Sequence, residues 1–233
     1  MKKNVQTANR TTISLKEVSK VIKKATILDH INVEFHSGRV YGLRGYNGSG
    51  KTMLLRLIAG LILPTNGSVY INNKVLGRDI TFPESMGILI ENPAFLDSYT
   101  GYQNLKLLAD LKRQIGEEQI RKALESVGLD SFDPRKYRKY SLGMKQRLGI
   151  AAAIMEENDI LLIDEPTNAL DSEGVDLVKK IIKSEKARGA LILVACHEAQ
   201  VLEALADEIY VIEKGQLVDH IVLQTVENME EPI

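Results

Sequence analysis

The stretch "GYNGSGKT", Gly45 to Thr52, decides the fold. It fits G-x-x-x-x-G-K-[S/T], in which glycines let successive backbone amides converge on phosphate oxygens. The flanks give the match its weight. "GRVYGLRG" ahead of it reads as a short strand ending in glycines, and "KTMLLRLIAG" behind it reads as a helix closed by Gly60. In that setting Gly45, Tyr46, Asn47, Gly48, Ser49 and Gly50 form the cradle. Lys51 reaches the β- and γ-phosphates, and Thr52 offers a hydroxyl to Mg2+.

A phosphate cradle needs a carboxylate to orient the metal. "ILLIDEP" ends an apolar strand with Asp164, at the carboxyl end where parallel sheets collect ligands. Asp164 is the expected Mg2+ anchor. Glu165 follows and points elsewhere, which suits a base that polarises an attacking water. A second stretch, "YSLGMKQR" (140 to 147), opens the helix "LGIAAAIM". Ser141 suits an N-cap, and the missing side chain at Gly143 lets a ligand approach the backbone of a helix N-terminus, which attracts anions. Read alone, this stretch is first a capped core helix with no ligand, and second a site for an anion.

From these motifs the pattern extends both ways. "TTISLKEVSK" to "INVEF" alternates as strands, "GSVYINNKVL" returns to strand, and the pattern turns helical from about Pro93 to Met155. "SEGVDLVKKIIKSEKARG" sets Val175, Val178, Ile181 and Ile182 on one helical face, with Ser172 as the cap candidate and Gly189 as the stop. "ALILVAC" is a buried strand, "EAQVLEALAD" a helix, and "EIYVIEKGQLVDH" a hairpin turning at Lys214-Gly215. Buried strands alternating with helices predict an α/β core with a mainly parallel sheet. An antiparallel β unit precedes it, and a helical segment over about 93–145 is inserted into it. The first 11 residues read as a flexible tail and 12–233 as one domain.

Bulk properties narrow the function. The formal net charge of −1 over 233 residues gives no electrostatic reason for a nucleic-acid partner. One cysteine, Cys196, excludes a disulfide framework and suits a reducing cytosol. No apolar region follows the basic start "MKKNVQTANR", so no signal peptide is expected. The longest apolar runs fall well short of the ~20 residues of a membrane span. A soluble protein results, or one held at a membrane through a partner.

Together the motifs resemble the nucleotide-binding subunit of an ABC transporter. "GYNGSGKT" is similar to Walker A, "ILLIDE" to Walker B, "NALD" with Asp171 to the D-loop, and "YSLGMKQR" to the family signature. "ACHE" places His197 where the family has its switch histidine. The likeness runs from about Ile13 to Asp219. It implies a P-loop ATPase using ATP and Mg2+, with Lys51, Glu165 and His197 catalytic and Thr52 and Asp164 at the metal. It also implies a second cassette, identical or different, packed head to tail, so that Ser141 and Gly143 cap a γ-phosphate held by the other subunit. That answers which anion a capped helix could meet. Separate transmembrane permease subunits follow from the likeness too, with this subunit cytoplasmic and peripheral at the inner face of the cell membrane.

Three departures refine the resemblance. The aromatic residue that stacks on adenine falls near Ile22, in "VSKVIKK". An aliphatic contact is weaker than base–aromatic stacking, worth roughly 1–3 kcal/mol. The lid glutamine that contacts Mg2+ is Glu91, in "GILIENPAF". A charged oxygen still suits a hard cation. Leu142 and Met144 replace the first glycine and the last glutamine of the signature. Glu91 with "YSLGMKQR" resembles the subgroup that exports, or gives immunity to, peptide antibiotics of the bacitracin and lantibiotic type. The basic "RKYRK" reads as a solvated stretch. The rival readings are a non-transport cassette, such as an iron–sulfur assembly ATPase, and a nucleotide-gated binding module. Intact Lys51, Asp164, Glu165 and His197 argue against the latter.

Overall fold

A computed structural model describes residues 11–223. Strand β1 (Thr12–Ile22) turns back into β2 (Ala25–His36) through Lys23 and Lys24, whose φ angles of 46° and 69° are those of a tight hairpin turn. β4 (Asn66–Ile71) and β5 (Lys74–Val75) complete an antiparallel sheet in the order β2-β1-β4-β5. The tail expected over residues 1–11 lies, apart from Thr11, outside the described residues. Thr11 itself is buried, and its carbonyl accepts the Ser37 amide at 2.9 Å.

The second sheet has the order β10-β9-β3-β8-β7-β6, with β10 (Gln216–Val222) antiparallel to β9 (Glu208–Glu213). β9, β3 (Val40–Arg44), β8 (Leu191–Cys196), β7 (Ile160–Asp164) and β6 (Met86–Leu89) run parallel. Strand alternation splits the core in two. Leu191, Leu193 and Ala195 of β8 face helix α1 (Lys51–Ile58) and the antiparallel sheet. Ile192, Val194 and Cys196 face the opposite layer, which holds α4 (Leu142–Ile154), α5 (Ser172–Ala187) and α6 (Ala199–Leu205).

β6 is a strand that its sequence does not announce. It is only four residues long, and α4 covers it so closely that a Cβ on Gly87 would lie 1.8 Å from the Ala153 carbonyl oxygen. The helical span from about Pro93 also needs correction at its start. Residues 93–100 are irregular, with a turn at 97–98, and the first helix, α2 (Gly101–Lys112), begins after Thr100, whose hydroxyl accepts the Gln103 amide while the Gln103 side chain accepts the Thr100 amide. The buried Asn104 side chain ties this turn down by bonding the Leu96 amide and the Leu96 and Thr100 carbonyls. After α3 (Glu117–Ser126) the chain is irregular until α4 except for a short 3-10 turn (Tyr137–Lys139). There Tyr137 donates to the Pro93 carbonyl at 2.6 Å, pinning the loop after Glu91 to the approach to the signature. Among the described residues no helix is long and apolar enough to cross a membrane.

Candidate active site

Three adjacent strands, β3, β8 and β7, bring their carboxyl ends together, with Arg44 opposite Cys196 and Asp164 opposite Ala195. The loop from Gly45 to Gly50 leaves β3 and enters α1. Gly45 is required by close approach: a Cβ there would lie 2.3 Å from the Ile212 carbonyl and 2.5 Å from Ser49 Oγ. Gly50, the N-cap, has φ 115°, which side-chain-bearing residues rarely adopt. No side chain caps α1, so its leading amides remain available to an anion. Tyr46 and Asn47 line a cleft with Gly45 and His197.

Lys51 is buried, and its ammonium donates to the carbonyls of Gly45 at 2.7 Å and Tyr46 at 3.3 Å. The charge is thus compensated by the rim of the loop it serves. Thr52 donates to Asp164 Oδ2 at 2.6 Å. Asp164 Oδ1 and Ser49 Oγ are buried with no hydrogen-bond partner among the described residues. Burial pushes the Asp164 carboxyl above the usual carboxylate range; the Thr52 hydroxyl and Lys51 pull it back, while Glu165 and Glu91 add to the rise.

Glu165 sits one residue past the strand with φ 48°. Its Oε2 lies 2.8 Å from His197 Nδ1, which joins the ends of β7 and β8. Cys196 is buried beside them, and burial raises its thiol to about 11, so it remains a neutral packing residue.

Ser141, Gly143 and Asp171 assemble in a different cleft, shared with Gly128, Arg135 and Arg147 and lined by no residue of the phosphate loop. Ser141 is the N-cap of α4, its Oγ accepting the Met144 amide at 3.2 Å. A Cβ on Gly143 would meet the Ala169 carbonyl at 2.9 Å, so a side chain there would force α4 away from this loop. Asp171, and not Ser172, caps α5: its Oδ1 accepts the Gly174 amide at 2.8 Å, because the carboxylate reaches the third amide while Ser172 already belongs to the helix.

Glu91, with φ 62°, pairs with Arg56 of α1 at 2.6 Å and not with Thr52 or Asp164. Ile22 is part-exposed at the end of β1, beside the hairpin turn. Sequence reasoning missed Arg56, Gln146 and Arg147. Gln146 donates to the Glu165 carbonyl at 3.0 Å, and Arg147 reaches Asp171 at 3.5 Å. The available signal was spacing: 143, 146 and 147 share one face of a helix whose other inward residues are apolar.

A phosphate cradle at the end of a parallel strand, with a carboxylate pair and a histidine on the neighbouring strands, defines a P-loop nucleotide-binding protein. The family model described as "ABC transporter" matches residues 28–168. The chain belongs to the ABC transporter family, as one of its ATP-binding, ATP-hydrolysing cassettes. It is 47% identical to the ABC transporter ATP-binding protein YybJ of Bacillus subtilis, over 88% of this chain and 94% of that one. It is 37% identical to the bacitracin transport ATP-binding protein BcrA of Enterococcus faecalis, over 90% and 68%. Identity is 34% to the lantibiotic transport ATP-binding protein SrtF of Streptococcus pyogenes, over 94% of each. The dimeric structure of MJ0796, a bacterial ABC transporter cassette, is similar with a TM-score of 0.84 and 26% identity, covering 91% of this chain and 99% of that one.

Proposed function

We propose that this cassette powers export of a hydrophobic or peptide substrate of the antimicrobial, lantibiotic-like type through separate membrane subunits, working at the inner face of the cell membrane. The observation that carries its chemistry is the contact at the sheet end, with Glu165 Oε2 2.8 Å from His197 Nδ1 and one residue beyond a buried, half-unpartnered Asp164. Glu165 polarises the water that attacks the γ-phosphate, and His197 holds that carboxylate and senses the phosphate. Lys51 and the amides of the loop hold the phosphate oxygens.

The donor set suits Mg2+. A threonine hydroxyl and a carboxylate with a free buried oxygen are hard ligands, and Thr52 and Asp164 would hold the ion while Glu91 approaches it from the lid. When bound, Mg2+ neutralises charge on the β- and γ-phosphates. Residues 12–233 act as one catalytic domain, with the helical insertion over about 93–145. Two such cassettes, identical or different, pair head to tail, so that Ser141, Gly143 and Asp171 complete the partner's site. The cleft holding these three residues, separate from the phosphate loop, supports that arrangement. Likeness to bacitracin and lantibiotic transport proteins supports the peptide class of substrate.

The test uses cells producing this subunit with the membrane proteins encoded beside its gene. Tolerance to bacitracin or a lantibiotic is expected with the wild-type cassette and not with Glu165→Gln. Equal tolerance with both would remove export driven by this site.

A further inference from the structure

Glu165 is held in a backbone conformation that its side chain disfavours. At φ 48° a residue with a Cβ is strained, and such a conformation persists only where neighbours over-determine it. Three bonds fix the peptide groups on either side. The Glu165 amide donates to the Ala195 carbonyl at 2.8 Å, tying it to β8. The Glu165 carbonyl accepts from Gln146 Nε2 at 3.0 Å, with a longer turn bond from the Asn168 amide at 3.3 Å. Gln146 is 7% exposed, so its amide has little water to fall back on if this bond is lost.

Gln146 belongs to the first turns of α4, and its neighbours on the same face grip the same loop. Gly143 packs on the Ala169 carbonyl, and Arg147 reaches Asp171. The helix that begins at Ser141 thus docks along residues 165–171, from the carbonyl of Glu165 to the cap of α5. From this geometry we infer that Gln146 is a positioning residue for Glu165: its amide holds the strained peptide and thereby aims the carboxylate at His197 and the reacting water.

The inference rests on the reading of Glu165 as the base that polarises water. It adds that the aim of the base depends on how α4 is seated. Because the tip of α4 is proposed to serve the partner's nucleotide, the seating of one site reaches the base of the other through a single side chain. Release of the Glu165 carbonyl lets φ relax and turns the carboxylate out of line. A misplacement of about 1 Å costs on the order of 100-fold in rate.

The experiment compares wild type, Gln146→Met, Gln146→His and Glu165→Gln as full-length proteins, by steady-state ATPase kinetics and ATP-dependent dimerisation on sizing chromatography. Methionine conserves length and removes the donor; histidine restores one. The expected result is a kcat at least roughly tenfold lower for Gln146→Met, with KM for ATP within about twofold of wild type, an intact ATP-driven dimer, and partial recovery of kcat in Gln146→His. Where methionine is not accommodated, Gln146→Ala should give the same split. Unchanged kcat in Gln146→Met while Glu165→Gln is inactive overturns the inference alone. Joint loss of nucleotide binding, dimer and turnover overturns it too, since Gln146 would then support the fold or the nucleotide. Wild-type turnover in Glu165→Gln removes the base, and the inference with it.

Discussion

The phosphate loop and the signature turn are both helix N-termini, yet they are finished differently. Helix α1 starts at Gly50 with no side-chain cap, and its own chain supplies the surroundings: Lys51 is buried against the loop carbonyls and Thr52 bonds Asp164. Helix α4 caps itself with Ser141 and then presents Leu142, 74% exposed, to the outside. One end keeps its amides free within a closed wall of catalytic groups. The other commits a weak 3.2 Å bond to its own amide and has no catalytic group of its own chain in its cleft. On the proposed head-to-tail pairing, the outward-facing half is completed by a second cassette, and the chemistry of each half should therefore fail in a different way.

The largest effect is expected at the closed end. Lys51→Ala removes a charge-assisted contact to phosphate, worth about 1.5–3 kcal/mol, so ATP affinity of the isolated subunit should fall by roughly tenfold to a hundredfold and turnover should vanish. Equilibrium binding of a fluorescent ATP analogue reads the first, and phosphate release the second. Unchanged affinity would mean that the loop amides alone hold the nucleotide.

The open end should show the opposite split. Gly143→Asp brings a Cβ to 2.9 Å from the Ala169 carbonyl and adds negative charge where a phosphate is proposed to lie. ATP binding to the monomer should remain within about twofold, while the ATP-dependent dimer is lost and turnover falls on the order of a hundredfold. Loss of monomer binding with the dimer intact would erase the distinction between the two ends.

The same contrast explains what was legible in the sequence. "GYNGSGKT" and "ILLIDE" could be read because local chemistry dictates them: glycine where backbone comes close, and acids at a strand end. Local chemistry alone reads the signature turn as a capped helix; its proposed ligand, held by a second cassette, enters only through the family resemblance. Asp171 as the cap of α5 was within reach, because aspartate and serine are both good N-caps and only the register separates them. Gln146 and Arg147 were marked only by sharing a helical face with Gly143, and Arg56 by nothing, since each works through a partner distant in sequence. β6 was hidden by its length, four residues whose burial depends on α4.

A smaller, pH-dependent effect belongs to Asp164. Burial raises its carboxyl, so the folded nucleotide-free protein binds this proton more tightly than the unfolded chain does. Its contribution favours folding below the ordinary carboxylate range and is lost as pH rises through the raised value. Once ionised, the buried, half-unpartnered carboxylate works against folding. Asp164→Asn should therefore raise the Tm of the nucleotide-free protein by about 2–4 °C at pH 7.5, while abolishing turnover. The gain should shrink as the pH is lowered toward the acid range, where the wild-type carboxyl is itself neutral. An equal Tm difference at both pH values would show that packing, not ionisation, is responsible.

The smallest effect is expected at Glu91, which lies between the two ends. It pairs with Arg56 at 2.6 Å, but its side chain is 58% exposed, so this ion pair contributes at most about 1 kcal/mol to folding. Glu91→Gln should leave Tm and Mg-ATP binding close to wild type, because the phosphate loop is untouched. On the proposed lid role of Glu91, what changes is the charge that leaves Arg56 and approaches the γ-phosphate on closure. A carboxylate makes that move only where a cation offsets the repulsion, whereas an amide is nearly indifferent. Wild-type turnover should therefore rise with Mg2+ more steeply than that of Glu91→Gln, with a difference of roughly twofold to fivefold in the half-maximal Mg2+ concentration, under about 1 kcal/mol. Arg56→Ala frees Glu91 without changing its charge, so its Mg2+ dependence should stay as steep as wild type but shift to lower concentration. ATPase activity against Mg2+ for the three proteins, with and without the membrane subunits, separates the cases. Superimposable curves would make Glu91 a surface acid that merely pairs with Arg56, and would leave the two helix ends without a link between them at this loop.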